Sequence, residues 1–221
     1  MKIYPLTRGE LDRMTADGSV LERDSHGVKV VTLANGNFLK YFRRKRFFSR
    51  DLLSPAALRF AINVRRLEKL GIPVMRVLSL HRIAGEANTV VVYRPLAGES
   101  LRRLLVAGRV DPAMMHAVGR FIASLHQRGI YFRSLHPGNI VMSGSCPGLI
   151  DVLDMRARNR SLTRWERQRN WLHFLRCGED RPYLCGELID ALLMGYHEAA
   201  DLSDHQLDRV SSTVRGAVGQ C

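Results

Sequence analysis

The sequence predicts a two-lobed α+β fold, in which strands dominate the first part of the chain and helices the second. Three observations predict it: β-branched runs separated by turn residues before residue 95, helical periodicity after Leu101, and repeated helix-capping signals. The sequence shows no internal repeat and no low-complexity linker. We therefore expect an N-lobe over residues 1–95 and a helical C-lobe over residues 96–221.

The first part of the chain carries signals for two helices and several strands. Thr7 and Glu10 have the spacing of a capping box, which predicts a short helix at the start. Ser54 and Pro55 offer an N-cap followed by a proline, so a second helix should run to about Leu70. Strands are predicted at 20–23, 28–33, 37–42, 74–80 and 89–93.

Helical patterns dominate the second part. Asp111 and Pro112 repeat the cap-plus-proline signal. Apolar residues then recur at spacings of three and four, which places them on one buried face: Met115, Val118, Ile122 and Leu125. Further helices are predicted at 163–176, 182–197 and 203–218, and strands at 140–142 and 149–153.

Composition narrows the function classes. The chain has 34 Lys and Arg against 21 Asp and Glu, a net charge of +13, which attracts polyanions such as nucleotides, nucleic acid, anionic lipids or phosphorylated sugars. No apolar run reaches the length of a membrane span, and the first residues lack a signal-peptide core, so a cytoplasmic location is expected. Four cysteines without a CxxC pair indicate neither a zinc site nor a disulfide framework.

The segment 130–142 contains the residues with the most informative chemistry. It follows the long amphipathic helix and precedes an apolar stretch that ends at Asp151. Asn139 and Asp151 would supply oxygen ligands from adjacent strand ends, as magnesium-dependent phosphoryl transfer requires. The alternative is that residues 136–139 form a turn without function.

This segment resembles the catalytic loop of the protein-kinase-like superfamily, which reads His-Arg-Asp, four residues, then Asn. Here Phe132, Arg133 and Ser134 stand in the first three positions and Asn139 in the last. Asp151 stands where the Asp of Asp-Phe-Gly would. The resemblance implies a protein-kinase-like fold, ATP and Mg²⁺, with Asn139 and Asp151 on the metal and Arg133 bracing the loop.

The same resemblance implies cofactor-binding residues in the N-lobe. Lys40 stands where a kinase lysine neutralises the ATP phosphates, although a solvated surface lysine is the alternative. The phosphate-covering loop is represented by a single glycine, Gly27. In kinases a glutamate partners this lysine, and two residues of the predicted second helix are candidates for that place: Asn63, near the middle of the helix, and Glu68, near its end.

Within that superfamily, the sequence resembles the Kdo/WaaP lipopolysaccharide kinases and relatives labelled toluene tolerance proteins. It rests on the stretches 38–45, 66–74, 135–140 and 164–175. It implies an acceptor in the lipopolysaccharide core, or a similar phosphosugar, at the cytoplasmic side of the inner membrane.

One position departs from the family pattern. Ser134 replaces the catalytic aspartate, and a serine hydroxyl is no general base at neutral pH without a neighbour that takes its proton. His136 and Asp154 are the two candidates for that neighbour. Two functions follow: a kinase-like phosphotransferase that uses Ser134, Arg133 and His136, or a pseudokinase that acts as a scaffold or regulator of envelope assembly.

A basic run, interleaved with phenylalanines, covers residues 40–50. It is either a solvated face or a contact for phosphorylated sugars and the anionic inner membrane, where each Lys or Arg contributes about 1 kcal/mol. Nucleic acid is not favoured as a partner, because no nucleic-acid-binding motif accompanies the charge.

Overall fold

The computed structural model describes residues 2–43 and 55–218. Contacts within the chain divide it into two compact units, residues 1–96 and 97–221. The first is built on a β-sheet and the second is mainly helical, which confirms the predicted α+β class. In the described part of the chain, no helix combines the length and the apolar composition needed to cross a bilayer.

The first unit contains a six-stranded sheet. Its strands are β1 (Ile3–Leu6), β2 (Ser19–Asp24), β3 (Gly27–Thr32), β4 (Phe38–Phe42), β5 (Arg76–Ile83) and β6 (Thr89–Arg94). They lie in the order β1-β5-β6-β4-β3-β2. Every pair is antiparallel except β1 and β5, which run parallel. Strand β1 was not predicted, because its pairing partner lies far along the chain.

Two helices complete the described part of the first unit. Helix α1 (Arg8–Thr15) begins at the predicted capping box, in which Thr7 and Glu10 bind each other's backbone amides. Helix α2 (Ala56–Lys69) begins one residue later than predicted, with Pro55 at the N-cap, while Ser54 lies outside the described residues. Its buried face contacts β5 and β6 and includes Phe60, Val64 and Leu67.

The second unit contains five helices and short strands. The helices are α3 (Leu101–Val106), α4 (Pro112–Gln127), α5 (Arg164–Phe174), α6 (Gly186–Ala199) and α7 (Asp204–Val218). A three-stranded sheet has β7 (Glu99–Ser100), β9 (Ile140–Ser143) and β10 (Cys146–Leu149), in the order β10-β9-β7. A two-stranded sheet pairs β8 (Ile130–Phe132) with β11 (Met155–Ala157).

Helices α4 and α6 form the core of the second unit. They approach closely because each contributes a glycine at the crossing, Gly119 on α4 and Gly195 on α6. A Cβ atom at Gly119 would lie 2.7 Å from the Tyr196 amide nitrogen, and one at Gly195 would lie 2.8 Å from the His116 carbonyl carbon. Only glycine allows this separation between the two backbones.

Two predicted elements in this unit are wrong. Strand β10 ends at Leu149, because Asp151 adopts a left-handed conformation (φ 52°, ψ 46°) and residues Val152–Asp154 form a 3-10 turn. The helix expected from residue 182 begins only at Gly186. Before it, Arg181–Tyr183 form a separate 3-10 turn, which ends because Leu184 leaves the helical region (φ −103°, ψ 60°).

Candidate active site

The loop after β8 is anchored by a side chain from α5. Asn170, which is almost fully buried, donates from Nδ2 to the Phe132 carbonyl oxygen at 2.7 Å and accepts from the Phe132 amide at 3.4 Å. The Leu135 amide donates to the same carbonyl oxygen at 3.1 Å, and the Leu135 side chain is fully buried. The backbone on either side of Ser134 is thereby fixed.

Asn139 closes this loop through its side-chain amide nitrogen and its backbone amide. Its Nδ2 donates to the Ser134 carbonyl oxygen at 2.8 Å, and its backbone amide donates to the His136 carbonyl oxygen at 2.8 Å. Because Nδ2 is the atom engaged with the loop, Oδ1 remains as an acceptor to which no residue of 2–43 or 55–218 donates. An amide oxygen presented in this way suits a hard cation.

The hairpin of β9 and β10 brings Asn139 and Asp151 to the same end. Ile140 pairs with Leu149, and the Ile150 amide donates to the Asn139 carbonyl oxygen at 3.0 Å. Asp151 is the next residue, and among the described residues it is the one non-glycine with positive φ. The two side chains together provide carboxylate and amide oxygens, a donor set that fits Mg²⁺.

Ser134 contacts a carboxylate that comes from a different element. Its hydroxyl donates to Asp154 Oδ2 at 3.2 Å. Asp154 ends the 3-10 turn that follows Asp151, and its side chain is exposed. Ser134, at the position where the resemblance implies an aspartate, therefore contacts a carboxylate three residues beyond Asp151.

His136 has a different environment. A Cβ atom at Gly138 would lie 3.1 Å from its Nδ1 and 3.2 Å from Cζ of Arg102, so imidazole and guanidinium flank the same glycine. Burial, followed by the charges of Arg102 and Arg176, lowers the pKa of His136. No hydrogen bond joins His136 to Ser134 within the described segments. These contacts suit a residue that supports the loop better than one that removes the proton of Ser134.

Close to His136 lies an ion pair between the partly exposed Arg102 and the buried Asp180. Arg102 donates from Nε and Nη2 to the two carboxylate oxygens of Asp180, at 2.6 and 2.8 Å, and Asp180 is 1% exposed. Ligand atoms of His136, Cys177 and Asp180 lie within 4.8 Å of one another. Since Arg102 already engages both oxygens of Asp180, a cation there would compete with the guanidinium.

Arg133 lies at the exposed edge of the loop. Its carbonyl oxygen accepts a hydrogen bond from Arg176 Nη1 at 3.3 Å, while its own side chain is exposed. Arg176, beyond the end of α5, thus holds the backbone at the position where the resemblance implies a bracing arginine.

In the first unit, Lys40 is buried rather than solvated. It lies on β4 between Val30 and Val91, and its residue is 6% exposed. Its Nζ lies 5.8 Å from the ring centre of Phe42 and 5.7 Å from that of Phe60. A desolvated ammonium over two aromatic rings is well suited to bind phosphate oxygens, and its role toward ATP stays a prediction.

The candidates for the partner of Lys40 differ in burial. Asn63 is 7% exposed and lies on the buried face of α2, among residues that contact the sheet. Glu68 is exposed, and within 2–43 and 55–218 it forms no ion pair. The burial therefore favours Asn63 over Glu68.

Gly27 closes the hairpin between β2 and β3 with a φ of 106°. The carboxylate of Asp24 accepts from the His26 amide at 2.8 Å and from Arg43 Nη1 at 2.8 Å. One amide of the predicted phosphate-covering loop is thus already engaged by a carboxylate. The binding of phosphate by this turn stays a prediction.

Two basic residues of the run at 40–50, Lys40 and Arg43, lie in the described part of the chain. Lys40 is buried, and Arg43 is paired with Asp24, so neither provides an uncompensated surface charge. Residues 44–50 lie outside the described residues, and the predicted membrane contact of the run stays a prediction.

The sequence and the fold have counterparts among known proteins. The family model described as "Lipopolysaccharide kinase (Kdo/WaaP) family" matches residues 12–196. The chain belongs to this family. A search of curated proteins gave no match. The predicted resemblance is thereby confirmed over most of the chain.

Solved structures show that this Kdo/WaaP family member has a kinase-like fold. An aminoglycoside-3'-phosphotransferase of type VIII matches with a TM-score of 0.60 and 17% identity, over 90% of this chain and 93% of that chain. A structure entitled "WaaP in complex with acyl carrier protein" matches with a TM-score of 0.54 and 17% identity, over 92% of this chain and 91% of that chain.

Three site residues had no assigned role in the sequence-based prediction. Asn170 is a polar residue on the buried side of α5, a pattern that could have indicated a backbone contact. Arg102 and Asp180 are separated by 78 positions, and no motif marks either of them. Their pairing becomes visible only in the folded unit.

Proposed function

We propose that this protein is an ATP-dependent phosphotransferase that acts on a sugar of the lipopolysaccharide core or on a similar phosphosugar. The observation that carries the proposal is the end of the β9–β10 hairpin. There the Oδ1 of Asn139 and the carboxylate of Asp151 follow the loop that presents Ser134 against Asp154. Membership of a lipopolysaccharide kinase family supports the reaction class and the acceptor.

Each unit contains residues to which we assign a role toward the nucleotide. Asn139 and Asp151 would hold Mg²⁺, which, when bound, neutralises negative charge on the phosphates. Lys40 is assigned to the ATP phosphates and Asn63 to the support of Lys40. Arg133, held through its carbonyl oxygen by Arg176, keeps the loop in place.

We assign the removal of the proton from the acceptor hydroxyl to Asp154, with Ser134 as the residue that passes the proton on. The serine oxygen accepts a hydrogen bond from the acceptor hydroxyl while its own proton points to Asp154 Oδ2. As the bond from the acceptor oxygen to the γ-phosphorus forms, the bond from that phosphorus to the β,γ-bridging oxygen breaks and ADP leaves. The acceptor proton passes to Ser134, whose own proton passes to Asp154. His136 is not needed for this step.

A pseudokinase that regulates envelope assembly is the second candidate. Two observations favour it: Ser134 stands in place of the aspartate, and Asp24 engages the His26 amide in the turn expected to cover phosphate. Such a protein would bind a partner or a nucleotide without transferring phosphate.

Nucleotide binding is the first test. Thermal unfolding is measured with and without ATP and Mg²⁺ for the wild type, Asp151→Asn and the control Asp201→Asn, an exposed acid in the loop before α7. ATP at 100 times its Kd should stabilise the wild type and the control by about 2.7 kcal/mol. The Mg²⁺-dependent part should be lost in Asp151→Asn. Absence of any shift in all three proteins would contradict the proposed nucleotide site.

Transfer of labelled phosphate separates the two candidates. The phosphotransferase should label a lipopolysaccharide core acceptor, and Asp151→Asn should abolish the label. If the wild type binds ATP but transfers no phosphate, while Ser134→Asp does, the native protein is a pseudokinase.

A further inference from the structure

The outer face of α5 exposes two large apolar side chains. Trp165 is 61% exposed and Leu172 is 49% exposed, and the two lie about two helical turns apart on the same side of the helix. Arg169 lies between them, with its guanidinium carbon 4.7 Å from the Trp165 ring centre. The same helix buries Trp171 and Phe174 on its other side, so Trp165 and Leu172 are not needed for the core.

The charge of this face is uncompensated. Arg133, Arg169 and Arg176 are exposed, and none of them forms an ion pair with any carboxylate in 2–43 or 55–218. The acid of α5, Glu166, is turned away, where it completes the Thr163 capping box and binds Arg160 at 2.8 Å. The outward side of α5 therefore combines positive and apolar groups without a negative one.

The two-stranded sheet of β8 and β11 lies next to α5 and adds residues to the same surface. The Tyr131 hydroxyl on β8 shares a hydrogen bond of 3.2 Å with His173 Nε2 on α5. Arg156 on β11 is exposed and pairs in register with Tyr131, so the two side chains lie on the same side of the sheet. Burial lowers the pKa of His173, and the charges of Arg176, Arg169 and Arg133 lower it further.

We propose that this surface, the α5 face, docks the protein on an anionic phospholipid membrane. It consists of Trp165 and Leu172 with the arginines Arg133, Arg156, Arg169 and Arg176. Tryptophan is enriched where membrane and water meet, and arginines beside it bind anionic headgroups. A second copy of the chain is disfavoured as the partner, because its α5 face would bring a like positive charge. A nucleic acid is disfavoured because it would offer no apolar group for Leu172 to contact.

The inference rests on the surface of α5 and its neighbours, not on phosphate transfer. It also differs from the membrane contact predicted from residues 40–50, since it uses none of them. A failure of the phosphotransfer assay would therefore leave it standing, and its own failure would leave the proposed reaction untouched.

Sedimentation with vesicles tests the proposal. The full-length protein is mixed with phosphatidylcholine vesicles that contain either none or about a third of phosphatidylglycerol. Binding should require phosphatidylglycerol and weaken with salt. Arg169→Gln should weaken it about fivefold, and Trp165→Ala and Leu172→Ala should each weaken it by at least as much. The matched controls Arg103→Gln and Met194→Ala, at residues exposed elsewhere in the unit, should bind as the wild type does.

Tryptophan fluorescence gives a second readout. The chain has two tryptophans, and Trp171 is fully buried, so a blue shift on binding to vesicles reports Trp165. The shift should disappear in Trp165→Phe. No binding to anionic vesicles would overturn the proposal, as would an equal loss in the control variants. Binding of an RNA oligomer in place of vesicles, with the same loss in Arg169→Gln, would overturn it in favour of nucleic acid.

Discussion

The hydroxyl of Ser134 donates to Asp154 Oδ2 at 3.2 Å, although the two residues belong to different elements of the second unit. Ser134 lies in the loop after β8, and Asp154 ends the 3-10 turn that follows Asp151. The left-handed backbone of Asp151 begins this turn. The Asp154 carboxylate thus contacts the loop at Ser134, the position where the resemblance implies an aspartate.

Asp154→Asn should lower the rate of phosphate transfer by about a hundredfold or more, because an amide accepts the hydrogen bond of Ser134 but not its proton. The initial rate is measured at saturating ATP, beside the thermal shift with ATP and Mg²⁺. The shift should persist in the variant, and the control Asp201→Asn should keep both properties. An unchanged rate would rule out Asp154 as the proton acceptor, and a lost shift would make it a metal ligand.

Arg102→Ala should lower the free energy of unfolding by about 3 kcal/mol, because it leaves the carboxylate of Asp180 buried without its cation. Urea unfolding measures the change. Arg103→Ala is the matched control, since the adjacent side chain is 77% exposed and 3.9 Å from Glu99. It should change stability by less than about 0.5 kcal/mol. Equal effects of the two variants would show that the ion pair adds nothing to stability.

Gly119→Ala should destabilise the protein by about 1–3 kcal/mol or more, because its methyl group would overlap the backbone of α6 at Leu192 and Tyr196. Gly216→Ala, on α7, provides the control: no atom lies within 4 Å of its Cβ position, and alanine favours a helix by about 1 kcal/mol. The midpoint of thermal unfolding should fall for the first variant and hold or rise for the second. A rise for both would show that α4 and α6 can separate without cost.

His126 should make stability depend on pH. Burial, followed by the charge of Arg167, lowers its pKa to about 3 from an ordinary value of 6.5. Between pH 6.5 and 3 the unfolded chain therefore binds a proton that the folded chain excludes. The free energy of unfolding should fall by about 1.4 kcal/mol per unit as the pH drops through this window.

Urea unfolding at several pH values checks this dependence. His126→Gln should flatten the acid slope, because glutamine has no proton to gain and can still bind the Tyr196 hydroxyl, 3.0 Å from Nδ1 of His126. His205→Gln, at an exposed position, should keep the slope of the wild type. If both variants retain the full slope, another group is responsible for the acid sensitivity.

The elements predicted correctly from the sequence are those whose signals are local. The capping residues Thr7, Asp111 and Thr163 begin helices where the pattern placed them, because a cap and its partner lie within three residues. Strand β1 was missed because its stability comes from parallel pairing with β5, more than 70 residues later. No local pattern contains that information.

The positions of the site residues, too, could be predicted where the signal was local and were missed where it was not. The spacing of Asn139 and Asp151 follows from a short hairpin, so the sequence could place both at one end of it. The choice between His136 and Asp154 depends on which way the backbone turns after Asp151, and periodicity does not encode that turn. The predicted strand over 149–153 excluded the 3-10 turn that brings Asp154 to Ser134. The burial of Lys40 could not be predicted from the sequence, because the aromatic rings around it come from two elements, Phe42 on β4 and Phe60 on α2.

Asn170 links helix α5 to the strand before the Ser134 loop. Its side chain hydrogen-bonds both the amide and the carbonyl group of Phe132, so the strand that leads into the Ser134 loop is bound to the inner side of the helix. A shift of α5 by a single residue, a rise of about 1.5 Å, would break this pair of bonds. We therefore expect that a displacement of α5 would also shift the residues around Ser134.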